Sequence, residues 1–360
     1  MAKNNFDLLR LLFSGTVCLF HAHVLSGYQE LGEVFGFLSA AVAVKAFFVV
    51  SGFLIFMSFE RSSSFVSYAS KRARRIYPAY FTVVMLCAIG LILASSKTVG
   101  GYFSFAWVKY LLANLTFLNF LQHNLPGVFE THRLTAVNGA LWTLKIEVMF
   151  YLAVPCFVFL FRRLGHFPTL VLLYCLSAAY ASLCALLAER TGSGMYAELG
   201  RQLPGQLSYF TSGAFFYYYL RLFEQRAGYF IFVAALILVI NAAYPLPLLE
   251  PFALATVVVF CGLFFYMGNF GKYGDFSYGV YILHFPIIQL LLHGGWFREN
   301  PWLFITAVTV ITSVCAIAMW HLVEKRFLLR SSHYVATITS SGDGLPGMAL
   351  KANAPARGAG

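Results

Sequence analysis

Three side chains that can carry charge stand in one apolar stretch. FDLLRLLFSGTVCLFHAHVLSG, residues 6–27, is long enough to cross a bilayer, yet it holds Arg10, His21 and His23. A neutral imidazole is a competent general base near neutral pH, and a guanidinium grips phosphate through two parallel hydrogen bonds. A helix turns 100° per residue, so the eleven steps from Arg10 to His21 end about 20° past three full turns. The two side chains therefore share a face, about 16 Å apart along the axis, while His23 points about 200° away from His21. Ionisable groups deep in a membrane mark functional sites by default, because something must offset their desolvation. Without such a function, Arg10 is a snorkelling arginine or the i, i+3 partner of Asp7, and His21 and His23 are hydrogen-bonded packing histidines.

A second polar set lies in NGALWTLKIEVMFYLAVP, residues 138–155. There Leu144, Glu147, Phe150 and Tyr151 share one helix face and Lys145 points away. A lone carboxylate in hydrocarbon needs a partner. His21, at similar depth, is the expected one, since a carboxylate that holds an imidazole fixes its tautomer and raises its basicity. The structural alternative is an ion pair with Lys45 or an arginine. The third set is SKRARRIYPAY, residues 70–80, in which Arg72 and Arg75 share a helix face and suit phosphate groups. A topological anchor or a lipid-headgroup contact would use the same residues. The fourth is DFSYGVYILHFPI, residues 275–287, where His284 stands two residues before Pro286, as a site residue or a packing histidine beside a kink. The seven cysteines (Cys18, Cys87, Cys156, Cys175, Cys184, Cys261 and Cys315) fall in apolar segments without metal-ligand spacing. They read as small buried residues, and no metal is expected.

These residues must be held by a membrane bundle. Of 360 residues, 60% are hydrophobic and 11% charged, too few charges to coat a soluble surface. Apolar segments near 6–27, 36–58, 78–95, 140–161, 168–188, 206–220, 229–243, 252–268, 276–292 and 302–322 make ten candidate spans. The first is too long for a signal-peptide core and no small-residue cleavage site follows it, so it is expected to remain. An eleventh segment, 105–122, carries Asn114, Asn119 and Gln122 and reads as re-entrant or lying at the outer surface. Basic loops at Lys71 to Arg75, at Arg162 and Arg163, at Arg221 and Arg226, and at 324–326 all fall on one side, the cytoplasmic one. The expected fold is all-α: a polytopic bundle of about ten transmembrane helices with both termini cytoplasmic, a domain over 1–330 and a disordered tail over 331–360. The net charge of +11 follows from these loops, and no nucleic-acid-binding pattern is present.

Taken in order, the motifs resemble those of the membrane acyltransferase 3 family, bacterial O-acetylases of surface polysaccharides. Arg10 and His21 match its R-x10-H element, FFVVSGFLIF (47–56) its FFxxSGFL, and Arg72 and Arg75 its R-x-x-R. Trp142, Leu144, Glu147, Phe150 and Tyr151 match its W-x-L-x-x-E-x-x-F-Y, and Ser277, Tyr278, His284 and Pro286 its late S-Y-x-x-Y-x-x-H-x-P. The resemblance covers roughly residues 5–328. Lys45 departs from it, standing where many relatives carry an acid, and Ala43 replaces a usual glycine.

The resemblance implies a multi-pass inner-membrane O-acyltransferase that takes acetyl from cytoplasmic acetyl-CoA, with no permanently bound cofactor. The acceptor is a hydroxyl of a polysaccharide or lipid-linked glycan at the outer face. Arg10, Arg72 and Arg75 would hold the donor phosphates. His21 would be the base, or the nucleophile of an acyl-histidine route, with Glu147 orienting it. Trp142 and His284 would meet the acceptor. A transporter of polysaccharide subunits or a proton-coupled carrier would also bury His, Glu and Arg, and an acyltransferase for peptide or antibiotic hydroxyls is a further alternative.

Overall fold

The computed structural model describes residues 4–297 and 299–329; the predicted tail lies outside them. The described residues form an all-helical bundle without β-strands. In chain order the helices are α1 (Phe6–Ser26), α2 (Gln29–Phe35), α3 (Ala40–Glu60), α4 (Phe65–Gly90), α5 (Val99–Tyr102), α6 (Phe105–Leu115) and α7 (Trp142–Leu164). There follow α8 (His166–Thr191), α9 (Gly194–Arg201), α10 (Leu203–Tyr218), α11 (Leu220–Ala243), α12 (Glu250–Leu263), α13 (Ser277–Gly294) and α14 (Pro301–Met319). A π-helical turn, Trp320–Glu324, and a short α15 (Lys325–Phe327) end the described chain.

Among the described residues, seven helices are long and apolar enough to cross a membrane: α1, α3, α4, α7, α8, α11 and α14. The apolar α10, α12 and α13, of 16, 14 and 18 residues, bring the set to ten, and these ten coincide with the ten predicted segments. The 105–122 segment yields only the 11-residue α6 and a turn at Asn119–Leu121. At about 1.5 Å per residue, α6 is half the thickness of a bilayer core.

Two expectations change. The basic run at 71–75 is not a loop: Ser64 caps α4 by accepting from the Ser67 amide at 3.1 Å, so the run lies in the first half of that helix. Cys156 and Cys175 are exposed on helix surfaces, while Cys18, Cys87 and Cys184 are buried. Outward faces of a membrane helix are as apolar as inward ones, so apolar context does not predict burial there.

Without a hydrophobic drive between helices in lipid, close packing must do the work, and small residues permit it. Gly52 and Gly213 do so where α3 crosses α10. A Cβ on Gly52 would lie 2.0 Å from the Phe210 carbonyl oxygen, and one on Gly213 would lie 2.0 Å from that of Val49. This fixes α3, whose neighbouring Ser51 lines the central cavity. The stretch between α6 and α7 also packs inward. Leu125, Val128, Phe129, Val137 and Leu141 are buried. Fully buried Gln289 donates to the carbonyls of Leu134 and Ala136 at 2.6 and 3.0 Å, and Asn138 donates to that of Ile282 at 2.8 Å.

Candidate active site

Helix α1 presents one face to α13 at two levels. Near its start, Arg10 Nη1 lies 3.0 Å from Asp275 Oδ2, just before α13. Eleven residues on, His21 Nδ1 lies 2.8 Å from His284 Nε2, within α13. The shared face that the spacing predicted is thus the face toward α13, and Arg10 also pairs with Asp7. His23 lies elsewhere, packed on Gly32 of α2, where an added Cβ would come within 2.8 Å of its Cε1.

The lower level is a charged network. Asp275, 1% exposed, also binds Arg75 of α4, whose Nη1 reaches Glu324 Oε2 at 2.9 Å. Ser277 gives Asp275 its amide at 3.1 Å and its hydroxyl. Burial pushes the Asp275 carboxyl pKa up, but Arg10, Arg75 and the Ser277 hydrogen bonds outweigh it and hold the group below the ordinary carboxylate range. Sequence reasoning missed Asp275 and Glu324. The local signal for Asp275 was an acid two residues before a serine at a helix start; Glu324 offered only a lone carboxylate after an apolar run.

A cavity of about 580 Å³ opens among these elements. Arg61, Lys71, Arg72 and Arg75 stand at its basic end. Arg72 donates to Ser58 Oγ at 3.0 Å and lies 5.8 Å above the Tyr151 ring. Lys71 donates to Ser62 Oγ at 3.2 Å. From there a stripe of α7 runs inward at intervals of four residues: Tyr151, Glu147, Thr143. The Tyr151 hydroxyl donates to Glu147 Oε1 at 2.5 Å, and Thr143 Oγ1 lies 2.7 Å from Tyr281 Oη. Tyr281, on α13, has its ring 5.6 Å from that of Phe47 and 5.9 Å from that of His284. Neither histidine lines the cavity; Phe47 and Tyr281 form an aromatic layer of its wall, and the Tyr281 ring is the one next to His284.

The expected His21–Glu147 pair does not form. Glu147 takes Tyr151 and His21 takes His284. The helices explain this: α7 packs on α3, α4, α8 and α10, whereas α1 packs on α13 and α3. The alternative of an ion pair between Glu147 and Lys45 is not formed either. Lys45 binds Glu250 at 2.7 Å and lies over the Tyr209 ring, whose hydroxyl donates to the same Glu250 oxygen at 3.1 Å. His284, read as an acceptor contact, is 0% exposed. Trp142 opens α7 and is half-buried.

A bundle with this many long apolar helices is that of a multi-pass membrane protein. The chain belongs to the acyltransferase 3 family, whose acyltransferase domain matches residues 3–321. It is 31% identical over 348 residues to an O-acetyl transferase of Shigella phage Sf6, covering 92% of this chain and 98% of the relative. It is 26% identical over 356 residues to nodulation protein 10 of Rhizobium leguminosarum bv. viciae, covering 90% and 92%. An exopolysaccharide production protein of Rhizobium meliloti is 30% identical over 141 residues, 37% of each chain. No solved structure matches the chain.

Proposed function

We propose that the protein transfers an acetyl group from cytoplasmic acetyl-CoA to a sugar hydroxyl of a cell-surface or lipid-linked polysaccharide at the outer face of the inner membrane. The observation that carries this reading is the cavity. Its basic end suits the phosphates of a donor that cannot enter hydrocarbon, and its wall includes Tyr281, whose ring lies against that of His284, the partner of His21. The names of the relatives support acyl transfer to a glycan: one is an O-acetyl transferase, another an exopolysaccharide production protein.

In this reading Arg72, Lys71 and Arg61 meet the donor phosphates first, because Arg10 and Arg75 are already paired with carboxylates along the wall. The thioester arm lies along Tyr151, Glu147 and Thr143. Acyl transfer needs the Phe47–Tyr281 layer to part, so that the thioester carbonyl meets an acceptor hydroxyl beside His21. His21 takes the hydroxyl proton, the sugar oxygen forms the new ester bond, and the carbon–sulfur bond breaks. The proton then passes from His21 to the departing CoA thiolate. Trp142 offers a flat amphipathic ring for a sugar face.

The test uses membranes from the host deleted for the gene, supplied with the protein and with acetyl-labelled acetyl-CoA. Label should enter the polysaccharide with wild type and not with His21→Ala. Equal labelling by the variant would remove His21 from the chemistry, and no label with wild type would overturn the donor. O-acetyl content of purified surface glycan, with and without the gene, checks the acceptor class.

A further inference from the structure

The sequence assigns the orientation of His21 to Glu147 and contact with the acceptor to His284; the geometry points to a different division. His284 is the positioning residue that sets the tautomer of His21, leaving His21 Nε2 as the free base. This rests on the acyl-transfer reading above.

The argument starts at a carbonyl. His284 Nδ1 lies 3.2 Å from the carbonyl oxygen of Val280, one helical turn earlier on α13. A carbonyl only accepts, so the proton of this hydrogen bond belongs to His284 Nδ1. With the ring uncharged, His284 Nε2 then carries a lone pair and no proton. His21 Nδ1, 2.8 Å away, must therefore be the donor, and the proton of neutral His21 is located on Nδ1. The remaining nitrogen, Nε2, is left with its lone pair. The chain of donation runs His21 Nδ1–H to His284 Nε2, then His284 Nδ1–H to Val280 oxygen.

The ring geometry agrees. The two imidazoles are within 8° of parallel with centroids 5.1 Å apart. Together with a 2.8 Å nitrogen–nitrogen distance, this is two nearly coplanar rings meeting edge to edge, an in-plane hydrogen bond rather than a face stack. Packing holds both rings. Phe285 lies edge-on to His21 at 5.4 Å, Tyr281 edge-on to His284 at 5.9 Å, and a Cβ on Gly139 would strike the Phe285 ring at 2.7 Å. His284 itself is 0% exposed. A buried ring with one nitrogen fixed by backbone and the other by a histidine is placed to orient a base. A carboxylate does this work in a serine hydrolase triad. A neutral imidazole can do it here without a second buried charge.

The test substitutes His284 with the two amides that mimic its two nitrogens. In His284→Gln the side-chain oxygen reaches the position of Nε2 and can accept from His21. In His284→Asn the amide ends near the position of Nδ1 and falls short of His21. Both keep a polar group in the pocket. His284→Phe removes both contacts. Each is assayed in gene-deleted host membranes with acetyl-labelled acetyl-CoA, following label into polysaccharide over a range of donor concentrations. Expected are a fall in maximal rate of roughly 10²-fold or more for Asn and Phe, the scale of general-base catalysis, with the donor KM unchanged within about threefold. Gln should recover at least about tenfold over Asn. His284→Asn on His21→Ala should cost nothing further. Equal rates for Gln and Asn, or a wild-type rate for Asn, overturn the positioning role while leaving the enzyme's reading intact. Absence of label with wild type overturns the reading beneath it.

Discussion

Asp275→Asn isolates what the charged level of the α1–α13 contact contributes. The change removes one charge, keeps the shape and leaves no cavity. Asp275 is 1% exposed and receives Arg10 at 3.0 Å, Arg75 and two hydrogen bonds from Ser277. An asparagine oxygen can still accept from Ser277, but its amide turns N–H groups toward two guanidinium ions. Hydrogen bonds to charged groups contribute roughly 1.5–3 kcal/mol each, and breaking one partner of a buried pair costs about 3–5 kcal/mol. Arg75 retains Glu324 and Arg10 retains Asp7, and both arginines are 14–20% exposed, so the lower end applies. The expected loss is about 3 kcal/mol of stability. It should show as a lowered unfolding midpoint of the purified protein in detergent. With the guanidinium ions no longer aimed along the cavity wall, the donor KM should also rise, by roughly tenfold for the loss of one such contact. Asp275→Glu, which keeps the charge, should recover part of the stability. An Asp275→Asn protein that melts with wild type and keeps its donor KM would refute the idea that this carboxylate organises the arginines.

Acid titration should act through the same group. A carboxyl held below its ordinary range stabilises the fold above that range and loses the contribution as pH falls beneath it, so the wild-type melting curve should decline on acidification more steeply than that of Asp275→Asn. Gly52→Ala should sharply reduce folded protein recovered from membranes, because its Cβ meets a backbone carbonyl at 2.0 Å that cannot rotate aside; Ser51→Ala, next to it, should fold normally. Lys45→Met should destabilise by about 1–3 kcal/mol through the uncompensated Glu250, and Lys45→Met with Glu250→Gln should recover most of the loss in the same melt. Tyr151→Phe keeps the ring beneath Arg72 but strips Glu147 of its donor, so labelling rate should fall about tenfold with glycan acceptor unchanged, whereas an unaltered rate would remove that hydrogen bond from the site.

What could be read from the sequence divides at the boundary between one helix and its neighbours. The angle between Arg10 and His21 follows from helix geometry alone, and the structure puts both on the α13 side. The opposite aim of His23 follows in the same way. The existence of ten apolar helices follows from composition and span length. Partners do not follow. Nothing local to His21 distinguishes Glu147 from His284, since the choice depends on α13 packing along α1 while α7 packs on α3, α4, α8 and α10. Asp275 and Glu324 were missed for the same reason, as each is defined by arginines some 200 residues or more distant in the chain. The SGFL element was recognised as a pattern, and only the crossing of α3 and α10 gives Gly52 its physical reason. Lys45 looked like a departure from the family; in the fold it pairs with Glu250 of the neighbouring α12.

The two levels of the α1–α13 contact differ in kind, and the difference follows depth. Charge is tolerable where water or counter-ions reach, so the arginine level sits at the basic end, each guanidinium matched by carboxylates and edged by the cavity. Farther along the same helix pair, an ion without a counter-charge would be costly, and there the contact is a hydrogen bond between two imidazoles. One pair of helices thus carries an ionic clamp and a hydrogen-bonded imidazole pair at a separation of about three helical turns along α1. Since Asp275 and His284 stand at the two levels on the α13 side, a shift of α13 along α1 would disturb both contacts together. Tyr281, on the same helix one turn before His284, lines the cavity and sets its ring against that of His284.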